Sequence, residues 1–328
     1  MLKPSNLLSF DDVWLEPRYS EIESRANPDL SSKLSSSVTL QHPVIASNMA
    51  SVVGPFMAET FDDSGSLAFC HRFLSRDQLV FLAQGQKLNY FPYSIGIKEE
   101  DLDTAKDIFN ILGDKAIVLI DIAHGHSKKM GEFVTKVKNI GYKTVVAGNV
   151  ATVEGYQFLS NAGADAVRVG VAGGKVCTTK NITGHHIPTL QSVLECALHK
   201  NHASIIADGG IATSGDAAKA LAAGADFVCL GSVLAPTSDS PSELVNENGV
   251  LYKLHYGMSS KTAMDTFFAG KKTHVAPEGT TIKMPYTGET ADVLKEFISG
   301  IKSALTYTGV DNIKDFQENA ILRFKNRI

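Results

Sequence analysis

Apolar residues gather into eight short runs along the chain, at 42–49, 66–71, 93–98, 116–124, 144–150, 166–172, 204–210 and 227–233. Most are apolar on both faces, as strands of a parallel sheet covered by helices must be. Between them the apolar positions take up a helical period. In 100–112, Leu102, Ala105, Ile108 and Ile111 share one stripe. Segments 75–84, 127–140, 152–162, 188–200 and 214–223 read the same way, several opening on Ser or Thr, with Gly141 and Gly163 as C-terminal stops and the same kind of stop expected for the last two. Eight strands alternating with helices predict an α/β fold, a (β/α)8 TIM barrel, with a doubly wound open sheet as the alternative.

Two segments stand outside the alternation. Residues 1–40 form a loop-rich N-terminal extension, and roughly 250–290 form a C-terminal flap or loop insertion before a final helix at 290–305. A long irregular stretch at that point is expected to act as a lid or binding loop. No break in composition divides residues 1–328, so a single barrel domain is expected. Trp14 is expected to pack the N-terminal segment on the barrel.

Composition removes several classes of function. The chain has 31 Lys+Arg against 35 Asp+Glu, a formal charge of −4, and no run of five like charges. That balance speaks against a nucleic-acid binder or an anionic-membrane binder. No apolar stretch approaches the ~18 residues of a membrane span, and the N-terminus lacks the apolar core of a signal peptide. A cytoplasmic protein is expected. The four cysteines show no CxxC spacing, so neither disulfides nor a structural zinc is expected. His185 and His186 have no third ligand at a defined spacing and read as a solvated or substrate-facing loop.

Barrel active sites form at the C-terminal ends of the strands. The residues after each run therefore predict the mouth: Asn48 and Met49, His71 and Arg72, Asp121 and His124, Gly148 and Asn149. The later strands add 170–180, Asp208 with Gly209 and Gly210, and Gly231 with Ser232. Glycine-bearing turns after strands six, seven and eight free backbone N–H groups for phosphate oxygens. Cys177 follows a Gly-rich loop, with Lys175 and Lys180 nearby and Thr178 and Thr179 directly after it. A neighbouring cation favours the nucleophilic thiolate; the same residues also suit a packed thiol, and the pattern alone serves either. Cys70 and Cys229 in strand runs, and Cys196 on a helix, are expected to be buried.

Several motifs go further. GVAGGKVCTT from Gly170, ADGGI from Ala207, Gly231-Ser232, YGMSS from Tyr256 and PEG from Pro277 resemble the IMP dehydrogenase / GMP reductase family. LSFDDVWLEP from Leu8, Ser24-Arg25, ASNM from Ala46 and AGNV from Ala147 extend the resemblance over nearly the whole chain. Within the family, DIAHGHS from Asp121 and the lysine at Lys175 are most similar to bacterial GMP reductases. The resemblance implies that Cys177 attacks C2 of a purine nucleotide, GMP, to give a covalent thioimidate. A hydride from NADPH then yields IMP, with Thr179 and Glu278 handling the proton for departing ammonia. It implies that Asp208 holds the ribose hydroxyls, that Lys175, Gly209, Gly210, Gly231 and Ser232 hold the phosphate, and that Met258, Ser259 and Gly279 line the base.

The nicotinamide nucleotide would lie near Arg72, Asp121, Ile122 and Ala123. Ser24 and Arg25 of a neighbouring subunit, with Ser303, Ala304, Leu305 and Thr306, match positions for its adenine end. The carbonyls of Gly174, Cys177 and Lys180 match a monovalent-cation (K+) site, although the loop reads Ala172-Gly173-Gly174 where the family has Gly-Pro-Gly. A homotetramer is the family expectation. Residues 71–75 pass from strand to helix too quickly to hold a CBS regulatory module. The competing readings are an IMP dehydrogenase lacking its regulatory domain, a non-catalytic purine-nucleotide-binding barrel, and, more distantly, an FMN barrel. A dehydrogenase would be expected to carry an Arg-Tyr pair between Ala263 and Glu278 to activate water, and the interval has neither residue type.

Overall fold

The computed structural model describes residues 7–85, 87–268 and 276–325. The eight apolar runs become β1 (Val44–Ala46), β2 (Leu67–Ala68), β3 (Phe91–Ile95), β4 (Ala116–Asp121), β5 (Thr144–Val150), β6 (Ala166–Val169), β7 (Ser204–Asp208) and β8 (Phe227–Leu230). All pair in parallel, and β8 returns to β1 through Val228 to Leu230. A parallel bridge between Cys70 and Tyr93 joins the two ends of the sheet, beside β2 and β3. That bridge closes the ring and decides for a barrel over an open sheet.

The helices are α1 (Pro55–Asp63), α2 (Arg76–Gly85), α3 (Glu99–Leu112), α4 (Lys128–Ile140), α5 (Val153–Asn161), α6 (Thr179–Thr183), α7 (Thr189–Leu198), α8 (Ser214–Ala222), α9 (Lys261–Phe268), α10 (Thr290–Thr308) and α11 (Ile313–Asn319). The ends follow local chemistry. Thr152 caps α5 by accepting from the Gly155 N–H at 3.2 Å, and α4 stops at Gly141, whose φ is +121°. One expected stop fails, because α7 closes on His199 at φ −119° and uses no glycine. Helix α1 was not apparent from the periodicity; Pro55 starts it, and Met57 and Phe61 bury it.

Two apolar layers hold the barrel. Ile45, Leu67, Phe69, Ile117, Leu119, Val146, Ile206 and Phe227 fill its inside, while the outward strand residues pack against the helices. Each fully buried aliphatic or Phe side chain contributes about 1.5–3 kcal/mol. Leu34, Val38 and Leu40 join the inner cluster from a hairpin pairing Ser32–Lys33 with Thr39–Leu40. Ser35 Oγ meets Thr144 Oγ1 at 2.7 Å and Ser204 Oγ donates to the Lys33 carbonyl at 2.8 Å, so the hairpin sits under the N-terminal ends of β5 and β7. The bottom is plugged, which leaves the top for a ligand.

Two expectations change here. The flap region is not wholly irregular: β9 (Leu244–Glu247), β10 (Val250–Tyr256) and β11 (Thr281–Pro285) form an antiparallel sheet. Buried Lys253 ties it to the loop after β8, donating to the Ser238 and Ser240 carbonyls at 3.0 and 2.8 Å. Trp14 is 58% exposed. Lys219 and Lys325 lie over its ring at 4.9 and 3.8 Å, and its strand, Val13–Leu15, pairs with Leu322–Phe324. Among the described residues no helix is long and apolar enough to cross a membrane.

Candidate active site

A cavity of about 440 Å³ opens at the C-terminal ends of the strands, within the range of small-molecule sites. Its most distinctive wall is the loop leaving β6. Gly170 turns there at φ +143°, and a Cβ would stand 1.9 Å from the Asp208 carbonyl oxygen, so only glycine lets β6 and β7 approach this closely. The loop then returns beside the residues preceding β11. Thr178 N–H donates to Glu278 O at 2.9 Å and Thr280 N–H to Val176 O at 2.9 Å, with Cys177 and Gly279 paired across them.

This stitching brings three side chains into line. The Cys177 thiol donates to Thr179 Oγ1 at 3.2 Å, and that hydroxyl donates to Glu278 Oε2 at 2.8 Å. A thiol, a hydroxyl and a carboxylate so ordered can carry the thiol proton to the carboxylate. The other cysteines are unlike it. Burial pushes Cys70 up to about 11 and Cys196 up to about 12. Burial beside the Asp208 charge raises Cys229, on the cavity floor, further still.

The second wall follows β7. Asp208 Oδ2 accepts from Asn149 Nδ2 at 2.6 Å and from an Arg168 guanidinium nitrogen at 2.7 Å. Gly209 and Gly210 then turn at φ +96° and +80° and lead to α8, whose N-cap Thr213 accepts from Asp216 N–H at 3.1 Å. Gly231, Ser232 and exposed Lys175 also line the cavity. Burial, helped by the Lys175 charge, lowers the pKa of His255 to about 4. Met258 closes the top, its sulfur accepting from the Ala50 N–H at 3.2 Å. Ser259 presents its carbonyl to Glu278 N–H at 3.1 Å, and Gly279 pairs with Ser260.

The third wall pairs Arg72 with Asp121 at 3.2 Å, with Ile122 and Ala123 beside them. The Arg72 guanidinium also lies 4.9 Å over the Phe73 ring. This wall combines a charged pair with an apolar strip.

The sequence from 7 to 326 matches the family described as the IMP dehydrogenase / GMP reductase domain. The chain belongs to that family. Among its relatives, GMP reductase 2 of Bos taurus is 38% identical over 318 residues, covering 94% of this chain and 91% of that protein. GMP reductase of Shigella flexneri is 35% identical, covering 98% and 96%. Animal and bacterial relatives thus match nearly equally, and overall identity does not favour the bacterial branch. The fold is also that of a crystal structure of a GMP reductase variant from Trypanosoma brucei in complex with guanosine 5′-monophosphate. That structure has a TM-score of 0.92 at 21% identity and covers 99% of this chain and 96% of its own.

Not every position matched to the family reaches the cavity. Ser24, Arg25 and Ser303 to Thr306 lie off it. Arg25 stands 5.6 Å from the Tyr307 ring, and Lys302 Nζ donates to the Ala26 carbonyl at 2.9 Å. Leu305 is fully buried in the core, so its side chain is closed to a cofactor of its own chain. The carbonyls proposed for a cation are partly engaged: Gly174 O accepts from Cys177 N–H and Lys180 O from Gly184 N–H, each at 3.1 Å. His186 Nδ1 lies 2.9 Å from Val171 O, and the described residues contain no His/Cys/Asp/Glu group able to hold a metal. Residues 269–275, within the interval from Ala263 to Glu278, lie outside the described residues.

One charged residue of the cavity was not apparent from the sequence. Arg168 sits within an apolar strand run, yet its guanidinium lines the cavity and contacts Asp208, Asn48 and Asp121. The available signal was its charge, since an arginine inside a strand covered on both sides must have buried partners.

Proposed function

We propose that this chain is a GMP reductase, converting GMP to IMP and ammonia with NADPH. The observation that carries the reading is the ordered donor chain from Cys177 through Thr179 to Glu278, in one cavity with Asp208. Cys177 gives its proton by way of Thr179 to Glu278, and the thiolate forms a bond to C2 of the purine. The C2–N bond breaks, and Glu278 returns the proton to the departing amine as ammonia. NADPH supplies the hydride that C2 takes in place of sulfur. The thiolate then leaves, IMP is released, and a solvent proton restores the thiol. Splitting one hard displacement in this way is the advantage of a covalent nucleophile, while proton relay contributes typically ~10²–10⁴-fold.

Asp208 orients the ribose, and the turns at Gly209-Gly210 and Gly231-Ser232 with Lys175 hold the phosphate. Arg72, Asp121, Ile122 and Ala123 hold the nicotinamide end. Because Ser24, Arg25 and Ser303 to Thr306 lie off this cavity, the adenine end is completed between copies, consistent with a homotetramer in the cytoplasm. K+ at the Gly174, Cys177 and Lys180 carbonyls would order the Cys177 loop, and exchanging K+ for tetramethylammonium tests that part.

The decisive experiment follows reduced-nicotinamide absorbance with purified protein and GMP. NADPH is expected to be consumed in step with IMP and ammonia, and IMP with either oxidised cofactor is expected to give negligible XMP. The reason is the interval from Ala263 to Glu278, which lacks the Arg-Tyr pair a hydrolytic step would use. Steady XMP formation at a comparable rate would assign a dehydrogenase instead.

A further inference from the structure

Arg168 is 6% exposed and lies in β6 among apolar strand neighbours. One guanidinium nitrogen donates to Asp208 at 2.7 Å, and the other donates to Asn48 at 2.7 Å and reaches Asp121 at 3.4 Å. Burial works against its charge, but Asp208 foremost, with Cys229 and Asp121 adding to it, raises its pKa. Asp121 is also paired with Arg72. The two carboxylates belong to different walls, one facing the nucleotide and one facing the cofactor, and a single buried guanidinium spans them. Asn149 places a second donor on the same Asp208 oxygen that Arg168 uses. Two donors fill the lone pairs of that oxygen, so a ribose hydroxyl would be accepted by the other one, on a carboxylate that Cys229 also hydrogen-bonds.

We propose that Arg168 is a positioning residue for both ligands: it fixes Asp208 toward the nucleotide ribose and Asp121 toward the nicotinamide nucleotide. Hydride transfer requires the two reacting carbons in near-attack geometry, and a small misplacement of either ligand is costly. The inference rests on the GMP reductase reading and names a residue that reading does not require.

Two double-mutant cycles test it. In the first, calorimetry gives the GMP dissociation constant for wild type, Arg168→Met, Asp208→Asn and the double variant. In the second, the cofactor KM is measured for wild type, Arg168→Met, Asp121→Asn and their double variant. Arg168→Met is expected to weaken GMP at least ~10-fold, in line with loss of a hydrogen bond to a charged group, and to raise the cofactor KM. The losses are not expected to multiply: each double variant should resemble its more damaged single variant, and Arg168→Lys should recover part of both constants. A merely structural role would give losses that multiply.

Multiplying losses in both cycles, or wild-type constants for Arg168→Met, would overturn the proposal. If thermal melting shows that Arg168→Met does not fold, the same cycles with Arg168→Lys decide it by the same criterion. Wild-type protein that fails to bind GMP would overturn both this inference and the GMP reductase reading. Normal GMP turnover with unaffected Arg168 variants would overturn the inference alone.

Discussion

At the residue scale the four cysteines stand in different environments. Cys177 has a proton acceptor chain within reach, whereas burial raises Cys70, Cys196 and Cys229 above the ordinary thiol range. Cys177→Ala is therefore expected to abolish turnover while calorimetry still detects GMP binding, and the other three alanine variants should keep catalysis apart from stability losses. Full activity of Cys177→Ala would exclude the covalent route. Glu278→Gln keeps the shape but removes the proton acceptor, so kcat should fall ~10²–10⁴-fold with little change in GMP affinity; equal loss in binding would make Glu278 a substrate ligand instead. The loop around Cys177 was legible as part of the barrel mouth, but its local pattern served a nucleophile and a packed thiol equally, and only the family resemblance singled the thiol out. Arg168 was not legible, because its partners Asn48, Asp121 and Asp208 come from the ends of three other strands. No periodicity within one segment encodes such a meeting.

At the scale of elements, the barrel strands were legible because burial on both faces leaves continuous apolar runs. The antiparallel sheet β9–β11 was missed for the complementary reason. In β10 buried Lys253 and His255 alternate with more exposed residues, so the run carries too much polarity to resemble a barrel strand. Helix α9 is held to the rim after β2 by Phe267, whose ring lies 5.4 Å from His71 and 5.0 Å from Phe73. Phe73 in turn lies under Arg72, the residue paired with Asp121 in the wall proposed for the cofactor. Phe267→Ala is expected to raise the cofactor KM several-fold and leave GMP affinity unchanged, and a change confined to GMP binding would detach α9 from the cofactor side. Helix α8 offers a stability test. Thr213→Ala removes the N-cap bond from the Asp216 N–H and keeps the reciprocal one, donated by the residue 213 backbone N–H to the Asp216 carboxylate, a loss of about 1 kcal/mol, visible as a lower melting temperature.

At the scale of the whole molecule, the closed ring and its plugged base give a stable wall on which a cavity can be carved, and two histidines at or near it are kept uncharged at a cost in acid. His255 is 1% exposed and has its Nδ1 3.0 Å from Ser51 Oγ. Burial, with the Lys175 charge adding to it, lowers its pKa to about 4, and burial alone lowers that of His71 to about 4. In the unfolded chain a histidine titrates near ~6.5. Between these values the unfolded state binds the proton and the folded state does not, so stability is complete above about pH 6.5 and falls as the pH drops toward 4. At 1.36 kcal/mol for each pKa unit, His255 alone accounts for a loss of about 3 kcal/mol across that window. Melting temperatures of the wild-type protein should therefore be level at neutral pH and decline below about 6.5. His255→Phe removes the titrating ring, so its decline should be shallower by that amount whatever its melting temperature at neutral pH. Parallel curves for the two proteins would mean that His255 is protonated in the fold, and its place beside Lys175 would then have to be held by an anion.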